Sequence, residues 1–431
     1  MRPISEWRSL LAEGRLDRRL LSLYGEDALD GQRRRYTDAV NAFAARYGED
    51  REAEIYSVSG RSELSGNHTD HNRGRVIAAS VDLDILALAS PVEGGLIRLK
   101  SEGFDEDVVD PAHFCEPIPG RFGRSDALIA GVVRGFADRG YATGGFDAYT
   151  TSNVPGGSGL SSSAAFEDMI GTILNHLYNG GRISFVEISC IAQYAENVFF
   201  GKPCGLMDQI ACAAGGIVAI DFADPKAPIV EKLELDLTAL GYRLCIINTG
   251  GNHADLTEDY AAVPAEMKAV AAALGKDVLR EVDEGELLAA IPRLRESLGD
   301  RAILRALHFV EENRRVLAQR EALEKGDLEG FFDGVLASGR SSFCYLQNVY
   351  TTKNVTEQGL SLALCLAERT LSGERAAWRV HGGGFAGTVQ AFVPLSQVEE
   401  LRRVMDGAFG EGSCKVLSIR PAGAIRVFDE E

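Results

Sequence analysis

The chain has 431 residues, 45% of them hydrophobic and 25% charged, with a formal net charge of −18 at pH 7. This length and balance predict a folded protein of two domains, with one large α/β unit as the alternative, and argue against disorder. The acidity argues against a nucleic-acid partner, because phosphate backbones are held by clustered Lys and Arg, and it requires any anionic substrate to find local positive potential from backbone amides, a few cations or a metal ion.

Residues 1–48 predict short amphipathic helices, with Trp7, Leu10 and Leu11, then Leu20, Leu21 and Tyr24 at helical spacing, and read as a helical appendage. Glu6, Arg8, Glu13, Arg15, Asp17, Arg18 and Arg19 interrupt those leucines, so this stretch predicts neither a secretory signal nor a membrane span. A strand is expected at 55–59, a polar Gly-rich turn at 60–74, and one long strand or two at 76–89. A further strand at 146–151 leads into the loop 153–159. The helix that follows is marked by Phe166, Met169, Ile170, Ile173, Leu174 and Leu177 on one face and by Gly180 and Gly181 at its end. A second helix is expected over 185–200, strands at 216–222, 242–248 and 389–393, and a helix-rich stretch over 261–371. Near 235 a charged segment sets the boundary between a first domain, 49–235, and a second, 236–431. The eight cysteines contain no C-x-x-C pair and read as buried free thiols, which suits a reducing cytoplasm.

Three segments carry chemistry. Pro155-Gly156-Gly157-Ser158-Gly159-Leu160-Ser161-Ser162-Ser163-Ala164-Ala165 runs straight into a helix. Glycines allow close backbone approach, and the helix start offers unpaired N–H groups and a favourable dipole, so the loop suits phosphate. It contains no lysine and does not fit G-x-x-x-x-G-K-[ST]; taken alone it could also be a turn with serine N-caps. The second segment, from Gly60-Arg61-Ser62-Glu63 through Asn67-His68-Thr69-Asp70-His71-Asn72, is rich in donors and acceptors suited to a polyhydroxylated ligand, though a solvated loop reads the same way. The third is the glycine run 382–384 before a strand, as often a bulge as a ligand contact. Between them, Asp208 lies in Cys204-Gly205-Leu206-Met207-Asp208-Gln209, placed as either a base or an N-cap. Glu196 falls on the apolar face of its helix, where a carboxylate needs a partner such as Mg²⁺.

In this order, these segments resemble the GHMP kinase superfamily, and within it the galactokinases, over the chain from about residue 47 onward. The family's GRVNLIGEHTDYN is matched by 60–72, its PxGxGLSSSAA by 155–165 and its CGIMDQ by 204–209. The resemblance implies an α+β fold of two domains with the active site in the interdomain cleft, and an ATP- and Mg²⁺-dependent transfer of phosphate to a sugar, most closely the anomeric hydroxyl of galactose. It implies Asp208 as the group that takes or orients the hydroxyl proton and Arg61 as the stabiliser of the transferring phosphoryl charge. Gly157, Gly159, Ser161, Ser162 and Ser163 would hold the phosphates, and Ser163 with Glu196 the metal, Ser162 being the rival ligand. Asn67, His68, Asp70, Gly205 and Tyr260 would contact the sugar. Asn67 replaces the family's glutamate, His71 its tyrosine, and Ser62-Glu63 its Val-Asn. Those departures leave open another sugar such as galacturonate, another small alcohol, or a non-catalytic sugar sensor. The expected state is a monomer or weak homodimer, with no membrane and no nucleic acid.

Overall fold

The computed structural model describes residues 1–156, 159–251 and 256–428. Its longest strand, Arg75–Val92, organises the first sheet. Glu52–Ser65 runs antiparallel beside it on one side. On the other side two strands share it: Ile217–Asp221 pairs with its first part and Gly145–Ser152 with its last. The sheet continues through Ile97–Ser101 to Glu106–Val109 beyond one of these and through Ile229–Leu233 beyond the other.

Side chains alternate along a strand, so the two faces of this sheet are buried in different cores. Ile85, Ala87 and Ala89 face a layer built from helices Ser125–Asp138, Ser162–Tyr178 and Phe185–Tyr194. Leu86 and Leu88 face the opposite way, against helices Ile4–Ala12, Asp17–Tyr24 and Leu29–Tyr47. The N-terminal residues are therefore a full layer of the first domain, with Trp7 and Tyr36 wholly buried, and more than the appendage their amphipathic spacing suggests. A charged node pins that layer down. Asp84, itself buried, accepts hydrogen bonds from Arg35, Tyr24 and Ser57 and pairs with Arg420. Burial works to raise its pKa, but the two guanidinium groups and the hydroxyls outweigh it and hold the carboxyl at about 2.

The second sheet is antiparallel, in the order Ala377–His381, Thr388–Pro394, Tyr242–Asn248, Cys414–Leu417. Cys245, Ile247 and Val389 on one face pack against helices Gly359–Leu371 and Val398–Phe409. Leu244, Ile246 and Phe392 on the other join Leu64 and Ile77 of the first sheet, and Val154 and Leu160 of the loop after residue 152, in one shared apolar core. The two sheets are thus joined by packed apolar side chains.

Three expectations need correction. Residues 60–65 are strand, not turn, because both faces of Glu52–Ser65 are covered and its polar side chains find partners across the domain interface. The chain also crosses the boundary at 235 a second time: Ile425–Arg426 pairs with Tyr56–Ser57, and Val427 enters the core of the N-terminal helices. Finally, all eight cysteines are free, but Cys115, Cys344 and Cys365 are exposed.

Candidate active site

The glycine-rich loop lies where both sheets meet. Gly159 has φ +72, and a Cβ there would stand 2.9 Å from Thr388 Oγ1 and 3.2 Å from His381 Nδ1, both of the second sheet. Only a residue without a side chain lets the loop pass so close at that dihedral. Gly157 lies outside the described residues. Ser161 precedes helix Ser162–Tyr178 at φ +58, a left-handed conformation that costs a serine free energy and marks a position set by its surroundings. Its hydroxyl does not cap the helix. It donates to Asp208 Oδ2 at 2.5 Å and leaves the helix start, whose first N–H groups suit an anion, uncapped by Ser161.

Arg61 collects the other side of this arrangement. The register of Glu52–Ser65 shifts between Ser59 and Arg61, an irregularity that redirects the side chain out of the pleat. Nε donates to Asp208 Oδ1 at 2.8 Å and Nη2 to Oδ2 at 2.7 Å, a bidentate pair, while Nη1 donates to the Gly159 carbonyl. Burial pushes the Asp208 pKa up, but Arg61, the Ser161 hydroxyl and Lys202 more than offset this, and the carboxyl lies below its ordinary value. Asp208 is therefore ionised and oriented at neutral pH.

Asp70 faces Asp208 across Gly205. It opens the short turn Asp70–Asn72, and its Oδ1 accepts from the His71 amide at 2.9 Å. Burial, with the negative charges of Asp208 and Glu63, raises it to about 6. Two neighbouring carboxylates are thus pushed apart in acidity, an arrangement that lets them take different parts in one reaction. His68, also left-handed at φ +58, donates from Nε2 to the Gly383 carbonyl at 3.0 Å, and burial lowers its pKa, leaving a neutral ring. Tyr260 donates to the Gly384 carbonyl at 2.8 Å and stacks edge-on against Phe385. The glycine run 382–384 is accordingly the wall on which His68 and Tyr260 rest.

Asn67 does not fit the expectation of a sugar contact. It is wholly buried, and its Nδ2 donates to Glu63 Oε1 (3.1 Å) and the Gly382 carbonyl (2.7 Å). Its Oδ1 accepts from Ser342 Oγ (3.2 Å) and Asn348 Nδ2 (2.9 Å). Two donors and two lone pairs are the whole capacity of a carboxamide, so nothing is left for a ligand. Asn67 ties the two domains together beneath the site. Glu63, which the sequence shows only as a departure, is neutralised by the buried Arg379, and its amide donates to His381 Nε2 at 3.3 Å. His381 Nδ1–H in turn donates to Thr388 Oγ1 at 2.9 Å, so its ring is neutral and fixed in one tautomer.

Glu196 finds the partners its position demands. Its helix widens into the turn Ala195–Phe200, and the carboxylate, 2% exposed, accepts from Ser163 Oγ at 3.1 Å, Lys202 Nζ at 2.7 Å and Gln209 Nε2 at 3.0 Å. Gln209 also donates to Glu167, whose acidity is lowered well below the ordinary range by burial and by the charge of Glu196. Lys202 lies outside every motif segment, and Gln209, though it ends the segment 204–209, carries no role there that the sequence alone reveals. Among the described residues no group of three or more His, Cys, Asp and Glu side chains is arranged to hold a metal ion. One hydroxyl and one carboxylate side by side still suit Mg²⁺, which takes most of its oxygens from phosphates and water.

Comparison with known proteins gives the chain its relatives. The family description "GHMP kinases N terminal domain" matches residues 127–216, and "Galactokinase galactose-binding signature" matches 41–91. A galactokinase of Streptomyces coelicolor is 32% identical over 376 residues, 86% of this chain and 92% of the relative. One of Actinobacillus pleuropneumoniae serotype 3 is 30% identical over 371 residues, 85% and 92% of the two chains. The crystal structure of Lactococcus lactis galactokinase complexed with galactose superposes with a TM-score of 0.75 at 25% identity, covering 90% of this chain and 98% of that one. A mevalonate kinase shares the fold alone, at 15% identity and a TM-score of 0.59 over 85% of this chain and 98% of that one.

Proposed function

The chain belongs to the galactokinase family of GHMP kinases, and from that premise we propose that it transfers the γ-phosphoryl group of ATP to the anomeric hydroxyl of galactose. The observation that carries this reading is the bidentate Arg61–Asp208 pair, fixed by Ser161 at the mouth of the glycine-rich loop. It joins a carboxylate, a guanidinium and a phosphate-binding helix start within one hydrogen-bonded unit.

In the proposed step, the sugar hydroxyl oxygen bonds to the γ-phosphorus while the bond from that phosphorus to the β,γ-bridging oxygen breaks. The electron pair leaves on ADP, and the hydroxyl proton passes toward Asp208. Asp208 is a weak base because Arg61 holds its proton affinity down, so its chief contribution is to orient the hydroxyl, and positioning with charge stabilisation carries most of the rate in phosphoryl transfer. Arg61 offsets negative charge spreading over the equatorial oxygens. The amides of Gly159 and Ser161, with the hydroxyls of Ser162 and Ser163, would hold the phosphates. Ser163 and Glu196 would hold Mg²⁺, which when bound neutralises phosphate charge; the Ser163–Glu196 hydrogen bond favours Ser163 over Ser162 as its ligand. Asp70, His68 and Tyr260 would line the sugar side, with Gly205 providing the space for Asp70.

Eight free thiols support a reducing, cytoplasmic setting. Among the described residues no helix is long and apolar enough to cross a membrane.

The test is coupled ADP release with ATP and Mg²⁺ across galactose, galacturonate, N-acetylgalactosamine, arabinose and glucose, with Asp208→Ala as control. Galactose turnover that disappears in the control supports the reading; strong preference for another sugar replaces galactose, and no turnover at all removes the kinase.

A further inference from the structure

The glycine-rich loop has no lysine, yet one reaches its mouth from another element. The turn Ala195–Phe200 ends at Gly201, φ +77, where a Cβ would stand 2.5 Å from the Phe122 ring. That left-handed exit directs Lys202 back over the turn, its own amide bonding to the Glu196 carbonyl at 3.1 Å. Lys202 Nζ then sits 2.7 Å from Glu196 Oε1, the oxygen that also accepts from Ser163 Oγ at 3.1 Å. Ser163 belongs to the first turn of Ser162–Tyr178, where unpaired amides already favour an anion. The lysine side chain is 58% exposed while Glu196 is 2% exposed, so the lysine borders solvent and the carboxylate does not.

We propose that Lys202 is a phosphate-binding residue of this site, contacting the nucleotide polyphosphate beside the Ser163–Glu196 pair and supplying the cation that the glycine-rich loop lacks. In a molecule of net charge −18 a tetra-anionic nucleotide needs such local compensation. Arg61 is committed to Asp208 and Gly159 on one flank of the loop, and Lys202 provides the positive charge on the flank of Glu196. Oxygen that leaves as ADP gains negative charge during transfer, and a cation on a flexible stem can follow it. The assignment rests on the ATP-dependent reading above.

The test is ADP binding by calorimetry to the full-length chain in excess EDTA and again with Mg²⁺, for the unaltered protein, Lys202→Met and Lys202→Arg, with galactose affinity and ATP-dependent turnover measured alongside. Lys202→Met is expected to weaken metal-free ADP binding about tenfold, the loss of one charge-assisted contact, while Lys202→Arg stays within about threefold. Galactose affinity should be unchanged in both. Unaltered metal-free ADP affinity in Lys202→Met, with Mg²⁺ bound more tightly, would show that the lysine only neutralises Glu196 and would overturn the assignment alone. An unaltered protein that turns over no sugar with ATP overturns the kinase reading and this assignment together.

Discussion

Asp70 occupies the space that a side chain at position 205 would need: a Cβ on Gly205 would lie 1.8 Å from Asp70 Oδ2. Gly205 has an ordinary negative φ, so an alanine there meets the carboxylate and not a strained backbone. Gly205→Ala is expected to displace Asp70 and raise the sugar KM about tenfold or more, with kcat less affected and little change in Tm. Steady-state kinetics with sugar varied at saturating ATP check it; an unchanged KM would remove Asp70 from the sugar site.

The Asp70 carboxyl, raised to about 6 from 3.8, gives a pH test with a definite sign. Only the ionised form accepts two hydroxyl hydrogen bonds, so the sugar KM should rise as pH falls through about 6, and Asp70→Asn should flatten the profile. Stability runs the other way. Between about 4 and 6 the folded chain keeps a proton that the unfolded chain has released, so burying this carboxylate costs stability above 6 and the cost fades on acidification. Asp70→Asn should therefore raise Tm at pH 8, and the gain should shrink by pH 5.

Asp208→Asn keeps the shape of the side chain but removes the charge that Arg61 faces. A loss of about 10²–10⁴ in kcat is expected, with a smaller effect on ATP affinity. Arg61 is nearly buried and would be left without its counter-ion, so a drop in stability should accompany the lost activity. Chemical denaturation of Asp208→Asn, Arg61→Met and the double variant separates the two effects: the double variant should be more stable than either single one.

Asn67→Asp tests whether position 67 recognises substrate or holds the domains together. The change replaces two donors by acceptors facing Glu63 and the Gly382 carbonyl. Leaving those groups unpaired and adding a like charge should cost about 3 kcal/mol, read as a lower denaturation midpoint. The ratio of galactose to galacturonate turnover should not move. A reversed ratio in a stable variant would restore Asn67 to the sugar site.

Glu196→Gln should raise the Mg²⁺ concentration needed for half-maximal turnover about tenfold or more, since one of two protein oxygens loses its charge. Titration of activity with Mg²⁺ at fixed ATP checks it.

Much of this site could be read before any coordinates. Arg61, Asp208, Ser161, Ser163 and Glu196 stand in segments whose composition announces chemistry, and they converge. What the sequence hid depends on pairing between distant parts of the chain. Asn67 carries the same motif position whether it faces a ligand or Gly382, and only the second sheet decides which. Lys202 and Arg379 look like ordinary surface cations until their carboxylate partners, Glu196 and Glu63, are brought to them. Likewise, 60–65 reads as a turn because its serines and charges are counted as solvent-facing; they are buried against His381, Gln390 and Gln319. Helical periodicity found residues 1–48 but could not reveal which sheet face they cover, since any apolar face would satisfy it.

Arg420 and the strand Ile425–Arg426 complete the first sheet from the far end of the chain. During vectorial synthesis the ribosome delivers Asp84 ahead of Arg420 by 336 residues. The nascent first domain must wait for most of the second to emerge before its buried carboxylate has both guanidinium partners. The Asp84 node therefore closes only after the strands of the second sheet have been made.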